Sequence, residues 1–266
     1  MDTESRFLTK EYIDEKAPSI YRGKVDEVRS EKYIFTPTSE IVGAFGKVNW
    51  YPTHISTVHP SKRDIHSVKH LIRFASEEIN TKLNGLSPEV IVINSHNGSS
   101  PLTTHLGFFR FACANGIMVG TSISKLKWSH RKMDYSEVKN LIIAATDEFS
   151  KQNKFIPEYM KIKLGTKQQV DFAEKTINMV WNGFMFEPER LLEVKRLDDS
   201  DNTLWNTFNR IQEHIIKGGI QYKVPEDRKT RNEFRTTHRI KNIDKEVKIN
   251  LMLWTMMHNF YENGKF

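Results

Sequence analysis

Hydroxyl and imidazole side chains are concentrated in the segment SHNGSSPLTTH, residues 95–105. An imidazole can act as a general base near neutral pH, and closely spaced hydroxyl and backbone N–H groups can bind a phosphate. The candidate catalytic residues are His96, Ser99 and His105. A Ser–His pair needs a third residue to orient the imidazole, and none is identifiable in the sequence. The alternative, which we favour, is a tight turn whose Ser and Thr hydroxyls bond to backbone groups.

Apolar strands flank this segment and would position it. Residues 90–93 are β-branched throughout, and the Asn-Gly pair at 97–98 readily adopts the positive φ angles of a hairpin turn. A second Asn-Gly pair at 115–116 precedes the apolar residues 117–119. We therefore predict a central antiparallel sheet built on a strand-hairpin unit at residues 88–128.

The C-terminal half carries the periodicity of amphipathic helices. Asp134 can cap a helix whose apolar stripe ends at Phe149, and Glu137 can complete a capping box. Further helices are predicted at 168–181, at 189–196 after Pro188, from a cap at Asp201 to Ile215, and from Asp244 onward. Strands first and helices after indicate an α+β fold, with the helical half packed on the sheet.

The first thirty residues are polar and carry charges of both signs. This composition is typical of a surface arm or a poorly ordered entry to the fold. We predict that residues 1–30 form such an arm and that residues 31–266 form a single domain. A sub-boundary near residues 155–165 is a possible addition to this division.

Metal and cofactor sites are weakly supported. The single cysteine, Cys113, excludes an internal disulfide, and its place in an apolar run is typical of a small core residue. His66 and His70 are four residues apart, but the glutamate of the zinc-protease motif does not follow His66. No phosphate-binding glycine loop or dinucleotide fingerprint is present. We expect neither a metal nor a cofactor.

The basic residues form two groups in a chain of formal net charge +7. A surplus of this size favours an acidic partner such as nucleic acid. The candidate nucleic-acid-binding residues are Arg228, Lys229, Arg231, Arg235 and Arg239 in a predicted loop, and Lys125, Lys127, Arg131 and Lys132 around Trp128. Such cations can follow a phosphate backbone, and an exposed Trp128 could stack on a base. Alternatively, the arginines of the loop pair with acidic residues elsewhere in the fold.

The composition is that of a globular protein, with 38% hydrophobic and 27% charged residues. No apolar run approaches the roughly 20 residues that a membrane span needs. The N-terminus carries early acidic residues and has no apolar core, which argues against a secretory signal. We expect a cytoplasmic protein without a membrane partner.

Several sequence blocks occur in an order that resembles a known family. The central blocks are SHNGSS at 95–100, GFFR at 107–110 and CANG at 113–116. Other blocks are KHLIRF at 69–74, LWNTFNRIQE at 204–213, KGG at 217–219, RKTR at 228–231 and the segment from Ile243 to Trp254. Over roughly residues 35–258, the chain resembles the uncharacterised phage/plasmid-like protein family, a domain of unknown function.

The resemblance implies an origin in a phage, a plasmid or another mobile element, and it supplies no activity. Asn97 stands where the family often has aspartate. If that carboxylate bound a metal in other members, this chain would bind the metal less well.

We expect a phage or mobile-element protein, non-enzymatic, that binds nucleic acid, above all single-stranded DNA. Its expected role is strand annealing in recombination or replication, as a homo-oligomer. A sheet followed by a helix is similar to the ring-forming single-strand-annealing proteins, which is an analogy of fold alone. Two alternatives remain open: a hydrolase or transferase that uses residues 95–105, and a phage protein that binds and redirects a host protein.

Overall fold

Contacts between residues divide the chain into two compact units. The first, here called the sheet unit, comprises residues 1–111 and 116–151, and the second, the helical unit, comprises residues 112–115 and 152–266. The computed structural model describes residues 6–22, 37–58, 65–76, 86–97, 100–110, 115–119, 135–224 and 233–266. The predicted division into an arm and a single domain remains a prediction.

Five strands form the antiparallel sheet of the sheet unit in the order β1-β2-β3-β4-β5. They are β1 Trp50–Thr57, β2 His70–Ser76, β3 Leu86–Asn94, β4 Thr103–Arg110 and β5 Asn115–Val119. Every residue of β3 is buried, which agrees with the continuous apolar run at residues 90–93. The sheet and the helical C-terminal half confirm the predicted α+β class. Residues 120–128 of the predicted strand-hairpin unit lie outside the described residues.

Two helices cover one face of this sheet with aromatic side chains. Phe45 of α2 (Thr38–Gly46) stacks on Phe74 of β2, with 4.2 Å between ring centroids. The ring centroids of Phe149 on α3 (Tyr135–Asn153) and Phe108 on β4 lie 5.0 Å apart. Large aromatic contacts of this kind contribute much of the hydrophobic stabilisation of a core. The apolar stripe predicted to end at Phe149 therefore faces the core.

The opposite face of the sheet holds a buried carboxylate. Glu89 of β3 is fully buried and accepts hydrogen bonds from Arg6 Nη2 (2.8 Å), Arg73 Nη1 (3.3 Å) and Thr53 Oγ1 (2.9 Å). The Arg6 guanidinium also lies over the Phe109 ring, 5.1 Å from its centroid. Burying a charge is tolerated when it is paired and hydrogen-bonded, as it is here. This cluster fastens the N-terminal segment to the sheet.

The N-terminal segment adds a short helix to the sheet unit. Helix α1 spans Lys10–Lys16, and the Thr9 hydroxyl caps it by accepting a hydrogen bond from the Tyr12 backbone N–H. Ile13 and Ile20 are buried, which supplies the apolar contact that a seven-residue helix needs to be stable.

Four α-helices dominate the described part of the helical unit: α4 Ile156–Lys161, α5 Thr166–Val180, α6 Leu204–Lys217 and α7 Ile243–Asn263. Twelve of the fourteen residues of α6 are buried. Trp205 and Phe208 of this helix lie edge-on to Trp254 of α7, with ring centroids 6.5 and 6.1 Å apart. Helix α6 is therefore the core of the unit rather than a surface helix.

Two predicted features of the helical unit differ in the structure. The predicted helix 189–196 is replaced by a short 3-10 helix at Pro188–Leu191, and a second one follows at Leu197–Asp199. Helix α6 is capped by Thr203, whose hydroxyl accepts from the Asn206 backbone N–H, and not by Asp201. Glu193, Lys195 and Arg196 are charged and Val194 is exposed, so a longer helix there would bury no apolar stripe and gain nothing from packing.

A small antiparallel sheet completes the helical unit, with strands β6 Met185–Phe186, β7 Gln221–Lys223 and β8 Phe234–Thr236 in that order. Gly218 joins α6 to β7 at a φ of +73°, and a Cβ there would lie 2.5 Å from the His238 carbonyl carbon. Only glycine meets both conditions. In the described part of the chain, no helix has both the length and the apolar character to cross a membrane.

Candidate functional site

The Thr38 hydroxyl joins two buried histidines in the sheet unit. Thr38 Oγ1, at the start of α2, lies 2.8 Å from His70 Nε2 and 2.9 Å from His96 Nε2. Asn94 at the end of β3 donates to the same hydroxyl at 2.9 Å. All four side chains are at least 99% buried. The register places His70 directly opposite Asn94, which brings them to one face of the sheet.

The hydrogen bonds of this cluster determine the tautomers of its histidines. His70 Nδ1 lies 3.0 Å from both the Val68 carbonyl oxygen and Ser19 Oγ. Because the carbonyl oxygen can only accept, Nδ1 carries the proton, and Nε2 accepts from the Thr38 hydroxyl. Thr38 has one proton to donate, so His96 Nε2–H must donate to Thr38 Oγ1. The hydroxyl then makes one donated and two accepted bonds, which is its full capacity. Burial, helped by the neighbouring His96, lowers the pKa of His70 to about 3.

The segment from residue 95 to residue 105 makes turn contacts in its described part. Ser95 Oγ donates to the Ser100 carbonyl and accepts from the Ser100 backbone N–H, both at 2.9 Å. The His96 and Asn97 backbone N–H groups donate to the Ser67 carbonyl. These bonds support the turn interpretation of the hydroxyl-rich segment.

The three catalytic candidates are not brought together as a site by these contacts. His96 is 1% exposed, and its ring is held by Thr38. His105 lies on β4 opposite Ile91, and burial lowers its pKa to about 4. Ser99 lies outside the described residues. Among the described residues, no group of three or more His, Cys, Asp or Glu side chains could hold a metal.

Most of the predicted nucleic-acid-binding residues fall outside the part of the chain that the structure describes. These are Lys125, Lys127, Trp128, Arg131, Lys132, Arg228, Lys229 and Arg231. Arg235 lies on β8, exposed, and donates from Nε to Glu233 Oε1 at 2.7 Å. Arg239 is exposed in the segment that follows β8. Residues 225–232, which include Arg228, Lys229 and Arg231 of the predicted basic loop, lie between β7 and β8 in the sequence.

One face of the small sheet carries a series of aromatic rings. The Trp181 and Phe186 rings stack with centroids 4.6 Å apart, and Phe186 stacks on Tyr222 at 5.0 Å. Phe184 meets the edge of Tyr222 at 5.3 Å and is 44% exposed. Tyr222 pairs directly with Arg235 across the strands, so the Arg235 side chain lies on the same face of the sheet as the rings. We call Trp181, Phe184, Phe186, Tyr222 and Arg235 the aromatic face.

The other face of the small sheet differs in its side chains. Lys223 pairs with Met185 on one side and with Phe234 on the other, so these three share that face. Phe234 is 63% exposed and Met185 is 53% exposed. This face has one aromatic ring from its strands, whereas the aromatic face has a continuous stack.

Sequence reasoning did not identify the aromatic face as a site. Its signal was the segment WNGFMF at 181–186, in which an Asn-Gly turn precedes alternating aromatic and aliphatic residues. Strands of two or three residues are too short to show a clear period, and Tyr222 joins them only through tertiary pairing. The prediction placed its aromatic residue at Trp128 instead.

Comparisons with known proteins identify a family. The model of the family described as Domain of unknown function (DUF932) matches residues 26–254. Two relatives from Escherichia coli (strain K12), UPF0380 protein YfjQ and UPF0380 protein YafZ, are each 28% identical to the chain. Both alignments cover 94% of this chain and 90% of the relative. No solved structure matches the chain.

Proposed function

Because the chain belongs to the DUF932 family, whose description assigns no activity, we propose a function from the geometry of the small sheet: the protein binds single-stranded nucleic acid on the aromatic face. One observation carries the proposal, the stack of Trp181, Phe186 and Tyr222 that ends beside Arg235. Aromatic side chains on which bases can stack, placed beside cations, are the usual means of binding unpaired bases.

Base stacking accounts for the choice of a single strand over a duplex. A partly exposed ring such as Phe184 can stack on a base only if that base is not already stacked within a helix. Each base–aromatic stack contributes about 1–3 kcal/mol and tolerates any base, because every base has a π face. The aromatic face therefore favours a strand whose bases are splayed.

Helix α6 is a poor alternative for reading a duplex. A recognition helix must present side chains to the major groove. Twelve of the fourteen residues of α6 are buried, and its ends are held by Thr203 and Gly218. In this unit, the small sheet and the basic residues between β7 and β8 in the sequence would therefore contact the nucleic acid.

Arg235 and the basic residues between β7 and β8 in the sequence would hold the phosphate backbone. Arg235 belongs to the face, and Arg228, Lys229 and Arg231 lie in the chain segment between β7 and β8. Cations beside the rings neutralise phosphates while the rings stack on bases. In a mobile element, such a protein would anneal or protect single-stranded DNA during recombination or replication, as a homo-oligomer.

The hydrolase or transferase alternative gains no support from the described residues. A catalytic base must reach a substrate, whereas His96 is buried and its Nε2 donates to Thr38. Nucleic-acid binding therefore remains the proposed function. A failure to bind oligonucleotides in the test below would instead favour a host protein as the partner.

The first experiment measures binding of a fluorescent single-stranded oligonucleotide and of its duplex across a range of salt concentrations. Each neutralised phosphate contributes a slope of roughly −0.7 to the logarithmic salt dependence on a single strand, so removing three contacts should reduce the slope by about 2. The variant R228A/K229A/R231A tests this value. No binding of either oligonucleotide at low salt would overturn the proposal and direct attention to a host protein.

A pair of matched variants identifies the face that binds. Phe184→Ala removes an exposed ring from the aromatic face, and Phe234→Ala removes an exposed ring from the other face of the same sheet. Loss of one stack should weaken strand binding about 5- to 150-fold in Phe184→Ala, and Phe234→Ala should bind within about twofold of the wild type. Equal effects of the two substitutions would contradict the assignment of the face.

A further inference from the structure

A cleft of about 210 Å³ lies between the end of α6 and the segment that follows the first 3-10 helix of the helical unit. Its polar lining includes Arg190, Glu193, Lys195, His214 and Gln221, and Gly219 is also part of its wall. Clefts for drug-sized ligands measure roughly 300–1,000 Å³, so this one suits a single planar ring system. Gln221 is the first residue of β7, so the cleft adjoins the strand that carries Tyr222.

The charges around the cleft balance. Arg190 donates to Glu187 Oε2 at 3.1 Å and to Glu193 Oε1 at 2.9 Å, which holds its guanidinium in place. Arg190, Lys195 and the Glu193 carboxylate line the cleft, and Glu187, which is not part of the lining, neutralises Arg190 from outside it. The C-terminal end of α6 also lies at the cleft and contributes a partial negative charge. A phosphate gains little from this balance, whereas a neutral ligand that has both N–H donors and a carbonyl acceptor matches it.

We propose that the cleft binds one guanine base, unstacked from a bound strand. Guanine presents two adjacent donors, N1–H and the 2-amino group, which fit the two oxygens of the Glu193 carboxylate. Its O6 and N7 are acceptors and fit Arg190 or Lys195. Adenine, cytosine and thymine lack two adjacent donors on this edge. The role of the base within a strand rests on the proposed function, whereas the cleft's affinity for the base does not.

The backbone around Glu193 is fixed before any ligand binds. His214 Nε2 lies 3.0 Å from the Glu193 carbonyl oxygen, so Nε2 carries a proton and donates it to that bond. Gly219 has a φ of +87° and no atom within 4 Å of the position of a Cβ, so the wall there is bare backbone. A preformed site of this kind loses little entropy on binding a rigid base.

The test uses nucleosides, which carry no phosphate, with the full-length protein. Saturation-transfer NMR should detect guanosine, and inosine, which lacks the 2-amino group, should bind about tenfold more weakly because one donor to Glu193 is lost. Adenosine and cytidine should bind at least as weakly as inosine. Equal signals from all four nucleosides, or none from guanosine at millimolar concentration, would overturn the assignment.

A matched pair of variants locates the site. Glu193→Gln keeps the size of the side chain but replaces one acceptor oxygen with an amide donor, and it should abolish the preference for guanosine over inosine. Glu189→Gln changes an exposed acid of the neighbouring 3-10 helix and should leave the preference unchanged. A preference that survives Glu193→Gln would place guanosine elsewhere and overturn the proposal.

The strand experiment separates this inference from the proposed function. Oligothymidylate with one central guanine should bind more tightly than the same strand with hypoxanthine at that position. Tight, salt-dependent binding with no difference between the two strands, together with no guanosine binding, would reject the guanine site and leave strand binding intact. Guanosine binding without strand binding would support the guanine site and reject the proposed binding of single strands.

Discussion

Replacing Thr38 with valine should destabilise the sheet unit strongly, because one hydroxyl serves three buried partners. Valine has nearly the same shape but cannot accept from Asn94 and His96 or donate to His70. A buried polar group that loses its partner costs about 1–3 kcal/mol. Bonds that share one atom are not additive, so we expect a loss of roughly 3–5 kcal/mol in the free energy of unfolding.

Urea unfolding followed by circular dichroism measures this loss. Thr38→Ser keeps the hydroxyl and removes one methyl group, so it should cost about 1 kcal/mol. Thr236→Val, at an exposed position of β8, should change stability by no more than about 0.5 kcal/mol. If Thr38→Val stays within about 1 kcal/mol of the wild type, the hydrogen-bond assignment of the cluster is wrong.

Two further predictions concern the sheet unit. Burial holds the pKa of His70 at about 3 and that of His105 at about 4, below the value near 6.5 of an unfolded chain. Between pH 6.5 and pH 4, these two histidines are therefore protonated in the unfolded state but not in the folded state. Each one lowers the free energy of unfolding by roughly 1.4 kcal/mol for every pH unit by which the pH falls through this range. His105→Gln should reduce the slope of unfolding free energy against pH by roughly 1.4 kcal/mol per pH unit, measured in urea titrations at several pH values. An unchanged slope would refute the lowered pKa of His105. Gly107→Ala should cost about 1–3 kcal/mol in thermal or urea unfolding, because its Cβ would lie 2.7 Å from Ile91 Cδ1 in the packed sheet. Gly43→Ala, in a helix with open space at that position, should be neutral or stabilising, and equal effects of the two glycine substitutions would contradict the packing.

The sequence predicted the elements whose signals are local. The β-branched run at 90–93, followed by Asn-Gly pairs at 97–98 and 115–116, indicated consecutive strands, and β3, β4 and β5 lie there. The apolar stripe that ends at Phe149 predicted α3, because a helical period over nineteen residues is a strong pattern. The predicted helix 189–196 was wrong, since a proline and a few apolar residues indicate where a helix can begin but not that it has a surface to pack against.

The contacts of the candidate sites depend on residues far apart in the chain, and no local pattern reports them. Thr38 and His96 are separated by 58 residues, and their contact follows only from the packing of α2 on the sheet. Residue type drew attention to His96 but could not show that its ring is buried. The aromatic face likewise joins β6 to β7 across a separation in sequence of 36 residues between Phe186 and Tyr222.

The most direct test of strand binding by the aromatic face is photochemical cross-linking. A single-stranded oligonucleotide that carries 5-iododeoxyuridine is irradiated with the full-length protein, and the adducts are mapped by mass spectrometry of its peptides. If the strand binds on the aromatic face, adducts form at Trp181, Phe184, Phe186 or Tyr222. Their yield is reduced in Phe184→Ala and retained in Phe234→Ala. Adducts confined to other segments, such as residues 95–105, or an absence of adducts at saturating oligonucleotide would contradict strand binding on this face.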